Sequence, residues 1–331
     1  MRRSKWTEVL RLALALTGLA TFASPSAAQE WKPSRNVRLV VGLPPGGMAD
    51  VTARLLATGL KDELGQSVIV ENVTGATGAI AAQQVAAAPP DGHTLMLALD
   101  ATLVIVPALR RVQAPFDPVK QFTPVARVIE APLVIFANKD FPGATFADLV
   151  RLAKPGSGFF YGSAGTGSSG HLLGEYLRQL TGIEMTHVPY RGAADALQDT
   201  MSGKIHFMLA SAASGMENYR AGQLKIIGVS SHARMAQLPN VPTLAESGLP
   251  AMKDFDVQGW AALLAPAGAP DPIANSLNAA LKKALTPEVA DRFRALGFTP
   301  GVTDRKTLAH AIESELELWK KVGRDANITL D

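Results

Sequence analysis

No cysteine occurs anywhere in the 331 residues, which excludes disulfides, thiolate metal sites and a lipid anchor on an N-terminal Cys. The six histidines, His93, His171, His187, His206, His232 and His310, never pair at ligand spacing on one helix, so no metal is expected. There is no Walker loop, no HExxH run and no G-x-S-x-G elbow around Ser163, Ser168 or Ser214. The usual signatures of nucleotide hydrolysis, zinc proteolysis and acyl transfer are therefore missing. A membrane span is missing too: the apolar stretch over residues 12–23 is about a dozen residues long, short of the roughly 20 that a spanning helix needs.

That stretch follows Arg2, Arg3, Lys5 and Arg11 and precedes Ser24, Pro25, Ser26, Ala27 and Ala28. The order is that of a secretory signal peptide, residues 1–28, with cleavage expected after Ala28. Ser4, Lys5 and Trp6 follow the Arg2-Arg3 pair poorly for twin-arginine export, so general secretion to the periplasm is expected. The leader also explains the net charge of +3. The chain has 32 Lys and Arg against 29 Asp and Glu; the leader holds four of the former and one of the latter (Glu8), leaving 28 of each. A neutral mature chain offers no basic field for nucleic acid or anionic lipid. Its length and a hydrophobic content of 47% suit a globular protein of two lobes with separate cores.

Apolar runs alternate with longer amphipathic stretches, the pattern of an α/β protein. Strands are expected over 37–41, 67–70, 94–98 and 125–128, with helices over 49–64 and 80–87, and together they suggest a parallel sheet. A second set follows: strands over 133–137, 158–161, 185–188, 205–209 and 224–229, with helices near 146–153, 168–180, 193–201 and 214–221. A strand over 257–264 and helices over 272–285, 288–296 and 305–322 close the chain. The expected division is a first lobe of residues 29–128 plus 257–331 and a second of 129–256. Two crossings between them make a hinge suited to closure around a ligand. Trp260 and Trp319 read as core or helix-face anchors.

Two loops carry the chemistry, each glycine-rich, each after a strand and opening a helix. They are Pro44-Pro45-Gly46-Gly47-Met48-Ala49-Asp50 and Gly162-Ser163-Ala164-Gly165-Thr166-Gly167-Ser168-Ser169-Gly170. Free backbone N–H groups and the positive end of a helix dipole attract an anion, and glycine lets it come close. One such loop per lobe points to an anion held in a cleft. Gly165, Gly167 and Gly170 also satisfy the dinucleotide pattern, which makes an exported NAD-dependent oxidoreductase the competing reading. Against it, the strand over 185–188 runs into Pro189 and Tyr190 with no acidic residue at its end.

The sequence resembles the tripartite tricarboxylate transporter substrate-binding proteins, also called the Bug receptor family, over essentially the whole mature chain. The matching motifs are Pro45-Gly46-Gly47 with Asp50 and Ala53-Arg54; Val70-Glu71-Asn72 with Gly75-Ala76 and Gly78; and Pro90-Asp91-Gly92. Further matches are Gly165 with Gly167-Ser168 and His171-Leu172, Val188-Pro189-Tyr190-Arg191-Gly192, Val241-Pro242-Thr243 with Glu246 and Gly248-Leu249, and Ala265-Pro266-Ala267-Gly268. The resemblance implies a two-lobe α/β periplasmic binding protein of the type II, flytrap kind: a monomer without cofactor and not an enzyme. It would hand a small organic anion to inner-membrane transporter subunits; a sensor feeding a signalling receptor is the other role open to such a chain. By the same resemblance the ligand set comprises Gly46, Gly47, Met48 and Asp50 from the first lobe. From the second come Thr166, Gly167, Ser168, His171, Arg191, Gly192 and Ala193, with Ala210 and Ser211 after the strand ending at Leu209. Asp50 is expected to order its own loop rather than touch ligand, and Arg191 either meets a ligand carboxylate or lies on a solvated surface.

The chain departs from the family after its third strand. Where small polar residues followed by His and Asn are usual, it reads Leu99-Asp100-Ala101-Thr102-Leu103-Val104-Ile105-Val106. Asp100, with Ala101 and Thr102 beside it, joins the candidate site. If Asp100 faces the cleft, it repels a dicarboxylate and favours an amino-carboxylate or a partly apolar monocarboxylate over citrate; if it caps the following helix, it says nothing of specificity.

Overall fold

The computed structural model describes residues 31–110 and 116–330; the expected signal peptide, residues 1–28, lies outside them. The strands are β1 (Val37–Val41), β2 (Val68–Asn72), β3 (Thr94–Leu99), β4 (Phe122–Asn138), β5 (Phe159–Ser163), β6 (Met185–Pro189), β7 (Phe207–Ser211), β8 (Leu224–Val229), β9 (Gln258–Pro266) and β10 (Thr299–Pro300). The helices are α1 (Met48–Leu64), α2 (Ala79–Ala86), α3 (Val106–Leu109), α4 (Phe146–Leu152), α5 (Ser169–Thr181), α6 (Ala193–Met201), α7 (Met216–Arg220), α8 (Asp271–Ala284), α9 (Pro287–Ala295) and α10 (Arg305–Asp325). A π-helical turn, Ala101–Ile105, joins β3 to α3. Among the described residues no helix is long and apolar enough to cross a membrane.

The first strand reads VRLVV, β-branched and almost wholly buried, as suits a strand covered on both faces. The following helix repeats its apolar residues at Ala49, Ala53, Leu56, Leu60 and Leu64, one stripe of a 3.6-residue period. It stops at Gly65, whose φ of 69° suits a residue without Cβ and whose N–H reaches the Lys61 carbonyl. Its stripe packs so closely on α8 that a Cβ at Gly59 would lie 2.9 Å from Ala284. Each fully buried Leu or Val along such a face contributes about 1.5–3 kcal/mol.

The strands run in the order β2-β1-β3-β9-β4-β7-β5-β6, with β8 and β10 also pairing β4. β1, β2 and β3 are parallel. The expectation of a parallel first sheet is corrected by β9, which lies antiparallel between β3 and β4. The separate strands expected over 125–128 and 133–137 are one strand, β4. Pro132 reads as a break because it lacks a donor, yet it sits where the strand changes partners: Pro132 is the last residue in register with β9, and Leu133 is the first in register with β7. One strand thus belongs to both lobes, and β9 starts beside the same point.

At this crossing Trp260 of β9 is wholly buried. Its indole N–H donates to both carboxyl oxygens of Glu315 on α10, at 2.9 and 2.8 Å, and Arg127 lies over its ring. Trp319 is likewise buried. Burial first, and the charges of Asp100 and Asp256, push the Glu315 carboxyl up to about 8 against the pull of the Trp260 N–H and Arg127. A raised acid stabilises the fold at low pH and loses that contribution as pH climbs from its ordinary value through 8. Glu315→Gln should therefore match the wild type near pH 5 and be more stable at pH 8 by roughly 3 kcal/mol. Urea unfolding across pH 5–8 reads this directly; parallel stability curves would refute the buried-acid account.

Candidate functional site

A cleft of about 460 Å³ opens where the loops after β1, β3, β5, β6 and β7 meet, the carboxyl ends of strands where open α/β sheets bind ligands. The structure brings Gly46, Gly47, Met48, Asp100, Ala101, Ser168, Ala193, Ala210 and Ser211 together in its lining. Joining them are Ala164, Ser169 and Gly170 of the second loop and, not expected from the sequence, Val51, Leu99, Ala131, Leu133, Leu209, Ala213, Ser214, Gly259, Leu296 and Phe298. Most are apolar, and at the ends of strands they carry the same signal as core positions.

Three helix N-termini face this space. The N-caps of α1 and α6 are Gly47 and Gly192, and neither helix has a side-chain cap. Their first-turn N–H groups thus lack partners within the helix. The third, α5, is capped by Ser168, whose Oγ accepts from the His171 N–H at 3.3 Å. Among the described residues no Lys, Arg or His lines the cleft, and the one ionisable side chain in the lining is Asp100.

Asp100 has helical backbone angles and makes no side-chain cap; it lines the cleft and is only 4% exposed. The Ser169 hydroxyl donates to its Oδ2 from across the cleft at 3.3 Å. Burial pushes Asp100 up to about 6, while N–H groups of Ala101 and Trp260 and the Ser169 hydroxyl pull it back.

Several expected ligand residues lie outside the lining, each for a visible reason. Asp50 is turned beneath its own loop: Oδ2 accepts the Gly46 N–H at 2.9 Å and Oδ1 pairs with Arg54 at 2.9 Å. The Arg54 hydrogen bond chiefly holds it down at about 2, against burial. Thr102 donates from Oγ1 to the Thr77 carbonyl at 3.0 Å and is 1% exposed. Gly167 rests against Leu330 and gives its N–H to His171 Nδ1 at 3.1 Å, which turns the buried His171 ring inward. Thr166 and Arg191 are exposed at the surface. Gly192 serves as the α6 cap. Among the described residues no cluster of His, Asp or Glu is arranged to hold a metal.

Residues 52–328 match the model of the tripartite tricarboxylate transporter family receptor. The chain is similar to protein BugT of Bordetella pertussis, 31% identical over 333 aligned positions that cover 100% of each chain. It is similar to an R. palustris protein solved with adipate, 32% identical with a TM-score of 0.73, covering 90% of this chain and 99% of that one. It is also similar to MatC from Rhodopseudomonas palustris with bound malate, 33% identical with a TM-score of 0.70, covering 88% and 99%.

Proposed function

We propose a ligand class for this chain, which belongs to the tripartite tricarboxylate transporter receptor family and is a solute-binding receptor, not an enzyme. The ligand is a small monocarboxylate with an apolar body, and where it has a second polar end, that end is an amino group. The single observation that carries the reading is the composition of the cleft: uncapped helix N-termini and apolar walls with, among the described residues, no basic side chain and one buried acid. Helix N-termini hold one carboxylate without a cation. A second carboxylate would meet Asp100, and two like charges in a low-dielectric space oppose each other strongly. The adipate- and malate-bound relatives hold dicarboxylates; Asp100 argues for a different choice here.

In this reading residues 1–28 direct export and are removed, residues 29–128 with 257–331 form one lobe, and 129–256 form the other. The receptor acts in the periplasm as a monomer. It closes on its ligand through contacts the open form lacks, among them Ser169 to Asp100, and delivers it to inner-membrane transporter subunits. The exported oxidoreductase is set aside, because the family is one of receptors.

Three six-carbon probes that differ only at one end test the class. Calorimetric titration of the mature protein should give hexanoate and 6-aminohexanoate dissociation constants at least about tenfold below that of adipate, a difference of roughly 1.4 kcal/mol. Adipate binding tightest would refute the proposal.

A further inference from the structure

Behind the second loop lies a cluster of buried and half-buried polar side chains that does not line the cleft. Ser163, at the end of β5, is wholly buried, and its Oγ stands 2.7 Å from His187 Nε2 on the neighbouring β6. The same hydroxyl lies 3.0 Å from the Gly165 carbonyl and accepts the Gly165 N–H at 3.3 Å. Two residues further on, the Gly167 N–H donates to His171 Nδ1. The two imidazoles are stacked, with centroids 3.8 Å apart and planes 11° from parallel. One histidine therefore grips the loop near its start, the other grips it at its middle, and each ring braces the other.

The Gly167 contact works only with an uncharged His171 ring. His171 accepts at Nδ1, so its proton sits on Nε2; a second proton would set donor against donor at Gly167 and lay a charge against the stacked His187 ring. Burial lowers both histidines. His187 is brought down to about 3 with help from the neighbouring His171; His171 is also lowered, against the pull of Glu175. Glu175 in turn is tied to Tyr161 at 2.8 Å and Arg178 at 2.6 Å.

We propose that His171 and His187 are positioning residues, which set loop 163–170 in its binding shape before any ligand arrives and do not touch the ligand themselves. The consequence for recognition, which rests on the cleft reading above, is that the Gly165 and Gly167 N–H groups are used internally. What the second loop offers a carboxylate is the first turn of α5, at Ser169 and Gly170. A loop ordered in advance removes its ordering entropy from the binding free energy.

Residue-resolved amide exchange on the ligand-free protein tests this without knowledge of the ligand. His171→Leu keeps bulk and loses the acceptor, while His171→Asn retains a side-chain acceptor. The Leu variant should exchange its Gly165 and Gly167 amides at least about tenfold faster than wild type, with the Asn variant restoring most of the protection. Affinity for 6-aminohexanoate should fall about tenfold in the Leu variant and recover in the Asn variant, in line with a loop that must order on binding. Equal exchange in wild type and the Leu variant, or equal loss in both variants, overturns the positioning role. If the amides behave as expected and none of the six-carbon probes binds wild type, the ligand class fails and the positioning role stands.

Discussion

Asp100→Asn should reverse the order of ligands: adipate gains, 6-aminohexanoate loses, and the ratio of their dissociation constants moves by about 100-fold or more. A hydrogen bond to a charged group contributes roughly 1.5–3 kcal/mol. The substitution removes one such attraction for the ammonium and one repulsion for the second carboxylate, so the two changes add in the ratio. Water is largely excluded from Asp100, which is 4% exposed, and among the described residues no basic side chain in the lining offsets it. The pH dependence supplies an independent reading. With its carboxyl raised by burial to about 6, Asp100 is mostly protonated at pH 5.5 and must release a proton to receive an ammonium. Affinity for 6-aminohexanoate should therefore rise between pH 5.5 and 7.5 by about fourfold, the change set by releasing one proton from a group that titrates near 6. Adipate should show the opposite slope, hexanoate little slope, and the Asn variant neither. Calorimetry at three pH values decides the matter; an Asn variant that keeps the wild-type ranking and slopes would remove Asp100 from the specificity.

Much of the architecture was legible from local pattern. The alternation of buried runs with amphipathic stripes places α6 over Ala193–Met201 and β8 over Leu224–Val229, as expected. Both segments pair a clear period with clear ends. The passage of β4 between lobes was not legible, because Pro132 signals a break in isolation and only the change of partner from Gln258 to Ser211 gives it a place within a strand. The π-helical turn after Asp100 was hidden for a similar reason: Leu103, Val104 and Ile105 read as generic core. Within the site, glycines and small polar residues announced the loops, so Gly46, Gly47, Ser168 and Ala193 were found in the cleft lining. Side-chain direction was not legible for His171, which sits on the expected loop but turns inward to hold it; Asp50 also turns inward, in the loop-ordering placement expected of it. Leu296 and Phe298 arrive from a segment more than a hundred residues away in sequence from the second loop and carry no local mark.

Gly170→Ala should cost more than about 4 kcal/mol, the range reserved for a named structural clash. A Cβ at this position would stand 1.9 Å from the Leu209 carbonyl oxygen and 2.9 Å from its carbon. Those are backbone atoms of β7, so no flexible side chain can yield. Leu209 is in register with Ile135 of β4, and a retreat of β7 would break the ladder that joins the second sheet to the lobe crossing. Gly192→Ala makes the control: nothing lies within 4 Å of the added carbon, and its φ of −175° is extended backbone open to any residue. That variant should lose no more than about 1 kcal/mol, the cost of alanine at an N-cap. Urea midpoints of the two variants provide the comparison, and equal midpoints would mean that α5 does not meet β7 at backbone distance. The contact also explains why Gly165, Gly167 and Gly170 imitate a dinucleotide fingerprint. The third glycine of that pattern serves close packing of helix on strand, and the same packing is required here to bring Ser169 within 3.3 Å of Asp100. The shared spacing reflects a shared demand on the backbone, met in this receptor to place a helix N-terminus at the cleft.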